Sequence, residues 1–165
     1  MLLTVFLAIV FCAAMAMMLI SCVAFIQDNK FFSSAPKEAR DVLIQREHEL
    51  FYGARAIGWT LFIISVLMIL GVGVIAIWDG FRCGFTFRQF FLRFVLIFTI
   101  YKISDMTLID DFLLLKFHFF QHYYPEAAHV MEGRKYGFNI KSQLLKLFVI
   151  FPAVSALAAW ICTVF

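Results

Sequence analysis

Charged residues are scarce in this chain of 165 residues, at 15% of the sequence, whereas soluble domains carry about 25%. Hydrophobic residues make up 64%, and a soluble chain this short has too little interior to bury them, because small domains leave much of their surface exposed. The composition therefore excludes an ordinary soluble domain and predicts an integral membrane protein in contact with a lipid bilayer. The net charge of +3 is too small to indicate nucleic acid, so no nucleic-acid partner is expected.

Several common site motifs are absent. His48-Glu49 begins like the zinc-protease motif HExxH, but Tyr52 stands where the second histidine belongs. Gly71-x-Gly73 lies in an apolar run with no phosphate-loop lysine after it, which predicts close helix packing and not nucleotide binding. No CxxC pair, and hence no zinc knuckle or thioredoxin-like site, is formed by the four cysteines, Cys12, Cys22, Cys83 and Cys162.

Four apolar stretches are long enough to cross the ~30 Å of hydrocarbon in a bilayer, which takes about 20 residues. We therefore predict an all-α fold, a bundle of about four transmembrane helices in one membrane domain over residues 1–165. The predicted spans are about 2–26, 56–78, 90–115 and 143–164. Trp59 and Trp78 lie near the ends of the second span as interfacial anchors, and Asp79-Gly80 marks its exit. Pro152 is expected to kink the fourth span.

The first span raises the question of processing. A secretory signal peptide has a basic region before a shorter apolar core, and this run begins without a basic residue. Leu19-Ile20-Ser21-Cys22 resembles the lipobox of bacterial lipoproteins, but the apolar run continues to Ile26. Both observations favour a retained helix, and lipidation of Cys22 stays open.

Two segments between the spans are predicted to lie at the membrane interface. Ser33, Ser34 and Pro36 can start a helix, and the apolar residues that follow at helical spacing predict an amphipathic interfacial helix over about 36–52. The second segment, about 117–124, is rich in Phe, Tyr and His, which favour the headgroup region. The charges in the third span leave open whether residues 90–124 form one helix or two.

Orientation follows from lysines and arginines in short loops, which favour the cytoplasmic side. The first and third loops contain more of these residues than the second, and both terminal segments lack them. We therefore expect the first and third loops in the cytoplasm and both termini outside. The short loops favour a bacterial cytoplasmic (inner) membrane as the location.

The third span contains the residues that are most costly to place in a membrane. An ionised side chain near the bilayer centre costs roughly 2.5–3.5 kcal/mol, and Lys102 and Asp105 are three residues apart, on one face of a helix. One interpretation is a neutralised intramembrane charge pair that faces the bundle interior. The other is an ion or proton relay, although the other spans offer no ionisable partner in their centres.

A second candidate site follows. On a continuous helix Asp111, His118 and His122 share one face, and Glu126 lies close behind them. Two imidazoles and a carboxylate can hold a divalent metal such as zinc or iron and leave positions open for water or substrate. The alternative is that these histidines pack at the interface without a metal.

Three classes of function remain, in this order. The first is an accessory or scaffold component of the membrane, whose loops bind a membrane-protein partner. The second is a metal-dependent enzyme that acts on a lipid or isoprenoid at the cytoplasmic face, and the third is a subunit of an ion-coupled transporter or channel. Small residues four apart, in Ala8-Cys12-Ala16 and Ser155-Ala159, favour packing within the bundle first and a homo-oligomer second.

Overall fold

The computed structural model describes residues 2–32, 41–46, 48–131 and 140–164, and within them residues 32, 110, 111, 114, 115, 131, 140 and 141 by their backbone alone. Over these ranges every regular element is helical. In chain order they are α1 (Leu2–Ile20), α2 (Ala54–Arg82), α3 (Phe87–Ser104), α4 (Phe119–Tyr123), α5 (Ala128–Met131), α6 (Ile140–Leu145) and α7 (Phe151–Val164). π-helical turns extend α1 over Ser21–Ile26, extend α3 over Asp105–Lys116 and join α6 to α7 over Lys146–Ile150. Two short 3₁₀ turns occupy Asn29–Phe32 and Pro125–Ala127.

Three helical segments are long and apolar enough to cross a membrane, namely Leu2–Ile26, Ala54–Arg82 and Ser142–Val164. The predicted third span coincides with α3 and its π-helical extension, which together run from residue 87 to residue 116 without a break at Ser104. This segment is long enough to cross a membrane, but it contains more charged residues than any of the other three. The helix ends before His118, whose backbone is left-handed with a φ of 51°, so residues 90–124 form two helices.

The long helices run alternately up and down. α1 packs against both α2 and α3, and α7 packs against α3. Aromatic contacts mark this order, because Phe11 meets Phe98 edge to face at 6.1 Å between ring centroids and Phe151 stacks on the same ring at 5.2 Å. The tight turn between α2 and α3, at residues 83–86, defines one end of the bundle, which we call the hairpin end.

The main core lies toward the hairpin end and draws on all four long helices. It is formed by Leu7, Ala8, Val72, Ala76, Phe90, Phe94, Ile97, Ala159 and Cys162. Of the small residues that the sequence places four apart, Ala8, Ser155 and Ala159 are completely buried within the chain, whereas Cys12 and Ala16 are only partly buried. Burial of apolar surface and close backbone approach both favour this arrangement.

α2 ends at Arg82, two residues beyond Gly80, where the sequence pattern placed its exit. Gly84 has a φ of 64°, its N–H donates to the Phe81 carbonyl at 3.1 Å, and the Phe85 N–H donates to the Gly80 carbonyl at 2.9 Å. These two bonds form a Schellman motif, in which the left-handed position favours glycine. Gly80 serves close packing instead, since a Cβ there would lie 2.2 Å from the Phe90 ring.

The fourth predicted span accommodates Pro152 through a change of helix type. A proline in an α-helix lacks the N–H and clashes with the carbonyl four residues earlier. Here the preceding turn, Lys146–Ile150, is π-helical, and the Phe151 N–H donates to the Lys146 carbonyl five residues back. The wider turn keeps the helix continuous up to α7.

The predicted interfacial helix over 36–52 is not confirmed. Residues 36–40 and 47 lie outside the described part of the chain, Asp41 is helical, and residues 42–46 and 48–53 are turns and irregular backbone. The predicted aromatic segment at 117–124 contains the short helix α4. Its depth relative to a membrane stays a prediction.

Glycines of α2 differ sharply in their surroundings. A Cβ on Gly58 would lie 2.8 Å from both Ile26 Cγ1 and Phe25 Cβ and 3.1 Å from a backbone nitrogen. At Gly71 and Gly73 it would meet nothing within 4 Å in the described chain, so the prediction of close packing there is wrong. The close approach of α1 and α2 instead takes place at Gly58.

We expect Gly58→Ala to lower the free energy of unfolding by about 1–3 kcal/mol, because the backbone of the α1 extension cannot yield as a flexible side chain would. The measurement is thermal or denaturant unfolding of the protein in detergent micelles. Gly71→Ala is the matched control on the same helix and should be neutral or stabilising by up to about 1 kcal/mol. Equal effects of the two substitutions would contradict the packing described here.

Candidate functional site: buried charge pairs and a two-loop cap

Lys102 and Asp105 form an ion pair near the middle of the helical segment 87–116. The Lys102 Nζ donates to Asp105 Oδ2 at 2.5 Å, and the side chains are 4% and 16% exposed. The three-residue spacing brings them together at the point where α3 changes into its π-helical extension. The pair presents almost no net charge to its apolar surroundings.

A second buried pair joins α3 to the end of α2. Arg93 donates through Nη2 to Asp79 Oδ2 at 2.7 Å and through Nη1 to the Ala76 carbonyl at 2.8 Å. Its guanidinium carbon also lies 4.3 Å from the centroid of the Phe85 ring. The carbonyls at the C-terminal end of a helix carry partial negative charge, so the last turn of α2 and the Asp79 carboxylate together neutralise this buried cation.

The loops at the other end of the bundle fold into one unit, which we call the cap, comprising residues 27–32, 41–46, 48–53 and 117–131. Its main polar contact is Arg46, which donates to Glu126 Oε2 at 2.8 Å and to the Tyr123 carbonyl at 3.1 Å. Glu126 Oε1 in turn accepts the Ile44 N–H at 3.2 Å. Arg55 fixes the same loop from α2 by donating to the Arg46 carbonyl at 2.7 Å.

Beneath these contacts the cap has its own apolar core. Val23, from the π-helical extension of α1, packs with Phe120, Tyr124 and Ala127, all of them buried. The Arg46 guanidinium lies 5.4 Å from the centroid of the Tyr124 ring. Burial raises the pKa of the Tyr124 phenol well above its usual value of about 10, although the positive charge of Arg46 opposes the shift. The folded cap therefore holds this phenol protonated, and its stability falls as the pH rises above the pKa of an unfolded tyrosine.

The structure describes three side chains of the predicted metal site, those of His118, His122 and Glu126. The left-handed backbone of His118 interrupts the continuous helix that would align Asp111, His118 and His122. Both histidines are exposed, and Glu126 is engaged by Arg46. The Asp111 side chain lies outside the described part of the structure.

Among the side chains that are described, no three His, Cys, Asp or Glu residues come together as a metal site requires. His118 Nδ1 lies 3.1 Å from the Lys116 carbonyl, and the His122 ring meets Tyr123 edge to face at 5.1 Å. Interfacial packing of these histidines stays a prediction. A divalent metal at Asp111, His118, His122 and Glu126 stays a prediction.

No known protein-family model, curated protein or solved structure matches this chain. The site must therefore be interpreted from its own geometry.

Three residues of these ion pairs were not singled out from the sequence as site residues, namely Asp79, Arg93 and Arg46. Asp79 pairs with Arg93 across the turn between α2 and α3. Because the chain folds back near Gly84, positions 79 and 93 lie at similar heights along the two helices. A prediction of a helical hairpin would therefore have indicated this pair. The partners Arg46 and Glu126 are 80 residues apart, and they lie in irregular backbone and in a short 3₁₀ turn, where no periodicity indicates which side chains meet.

The Lys102–Asp105 pair provides a direct test of charge neutralisation. We expect Asp105→Asn to destabilise the protein by about 3 kcal/mol, because it leaves a buried lysine without its counter-charge. The double variant Lys102→Met/Asp105→Leu should lose less than about 1 kcal/mol, since both charges leave together. Unfolding in detergent measures both, and equal losses in the single and double variants would show that the pair is not what stabilises this region.

Proposed function

We propose that this protein is a multi-pass membrane protein with four spans, the charged segment 87–116 being the third. Both buried cations that the structure describes in this segment are paired within the chain, Arg93 with Asp79 and Lys102 with Asp105. A charge that is paired inside the bundle costs much less in hydrocarbon than an isolated one. The contact between Arg46 and Glu126 also requires the loops at 41–46 and 117–131 to lie at the same end of the bundle, as four alternating spans would place them.

For its function we propose an accessory or scaffold component of the cytoplasmic membrane, with the cap as the surface that binds a membrane-protein partner. The observation that carries this proposal is the contact of Arg46 with Glu126, supplemented by the Ile44 N–H, which fastens two distant loops into one folded surface. Polar side chains such as His48 and His129 are exposed on this surface. The loop charges favour the cytoplasm for the cap.

The four-span topology is tested with thiol labelling of single-cysteine variants. Cys83 is exposed beside the turn at the hairpin end and reports that end once the other cysteines are replaced by alanine. His48→Cys and His129→Cys, each in a cysteine-free background, report the two loops of the cap. A membrane-impermeant maleimide should label positions 48 and 129 from the same side and position 83 from the other. Labelling of 129 from the side of 83 would show that segment 87–116 does not cross the membrane.

The partner-binding role is tested with a photo-crosslinking amino acid placed at His129 in the cap or, as the control, at Arg88 at the hairpin end. We expect a discrete crosslink to another membrane protein from position 129 and none from position 88. Glu126→Ala removes the contacts with Arg46 and Ile44 and should reduce the crosslink from position 129 severalfold, because it unfastens the two loops. If position 129 crosslinks only to lipid or to the protein itself, or if Glu126→Ala has no effect, the accessory function is rejected.

A further inference from the structure

The irregular backbone before α2 forms a closed turn that projects apolar side chains. The Glu49 carboxylate accepts the Gly53 N–H through Oε2 at 2.8 Å, and the Phe51 carbonyl accepts the Ala54 N–H at 3.0 Å. Gly53 takes the left-handed conformation, with a φ of 86°, which glycine adopts without strain. The turn is thus held by its own bonds, and its one acidic group, Glu49, is directed at its own backbone.

Three consecutive large side chains stand on this turn. Leu50 and Phe51 are 55% and 47% exposed, and Tyr52 is fully exposed. Phe51 also meets Phe25 edge to face at 6.4 Å between ring centroids, so the turn sits beside the end of the α1 extension. A contiguous apolar projection of this kind marks an interaction surface, because isolated exposed apolar residues are common but clusters are not.

We propose that the turn Glu49–Gly53 is an interfacial anchor that inserts Leu50, Phe51 and Tyr52 into the headgroup region of the membrane. The inference rests on the proposed membrane location and adds a lipid contact outside the spans. The turn is followed at once by α2, which at 29 residues is about 43 Å long and exceeds the ~30 Å of hydrocarbon. The predicted hydrocarbon span begins at about residue 56, so the beginning of α2, and with it the turn, lies at the depth of the headgroups.

Continuity of the exposed surface favours lipid over a protein as the occupant. The first turns of α2 expose Ile57 and Trp59, and the turn extends this apolar surface beyond the end of the helix. Tyrosine and tryptophan with an apolar body and a polar tip are typical of the membrane–water interface.

The experiment places a fluorescent tryptophan at position 52 of the full chain. Tyr52→Trp is made in a background with Trp59→Phe, Trp78→Phe and Trp160→Phe, and the protein is reconstituted into phosphatidylcholine vesicles with bromine near the glycerol or the methyl end of the acyl chains. His48→Trp in the same background is the control at an exposed polar residue of the cap, and a variant that keeps only Trp59 is the control on a span. Position 52 is exposed, so the substitution leaves the fold intact.

We expect bromine near the glycerol end to quench the tryptophan at position 52 to at least about half the extent seen for Trp59, and bromine near the methyl end to quench it less. The tryptophan at position 48 should stay unquenched. If Trp59 is quenched and position 52 is not, the anchor is overturned while the membrane location stands. If neither is quenched, the proposed membrane location itself fails.

Discussion

Charge neutralisation inside an apolar bundle is the constraint on which the rest of this structure depends. The segment 87–116 contacts both α1 and α7, so a net charge on it would disturb the packing of the whole bundle. Arg93 and Lys102 meet this constraint differently. Lys102 pairs with an acid on its own helix, whereas Arg93 is neutralised by Asp79 and by the carbonyls at the end of α2. The turn between α2 and α3 therefore also brings a buried cation to its counter-charge.

The cap also contains a paired cation and anion, but in a setting that is more exposed to solvent. Arg46 and Glu126 are partly exposed, and exposed ion pairs contribute little by themselves. Their contact gains from its setting, because Arg46 also lies over the buried Tyr124 ring and Glu126 also accepts a backbone N–H. The polar contacts and the apolar core around Val23 thus stabilise one another, and two segments that are distant in sequence acquire a fixed arrangement.

The sequence predicted most of the helical architecture and part of the charge arrangement. Apolar run lengths located the four long helices to within a few residues, and the three-residue spacing of Lys102 and Asp105 was enough to predict their contact. The structure of the cap could not be predicted from the sequence, because the left-handed backbone of His118 and the contact of Arg46 with Glu126 depend on tertiary contacts. No local sequence pattern indicates such contacts. The presence of a glycine also did not predict where two helices approach closely, since Gly58 and Gly71 lie on the same helix and differ only in what lies opposite them.

The packing order of the long helices has a consequence for how the chain is built. Each long helix packs against a long helix that is next to it in sequence, α1 against α2 and α3 against α7. The interface between α1 and α3 joins these two pairs. Each half of the polypeptide can therefore form its own helical pair as it is synthesised. The Asp79–Arg93 and Arg46–Glu126 contacts, one at each end of the bundle, join the two halves.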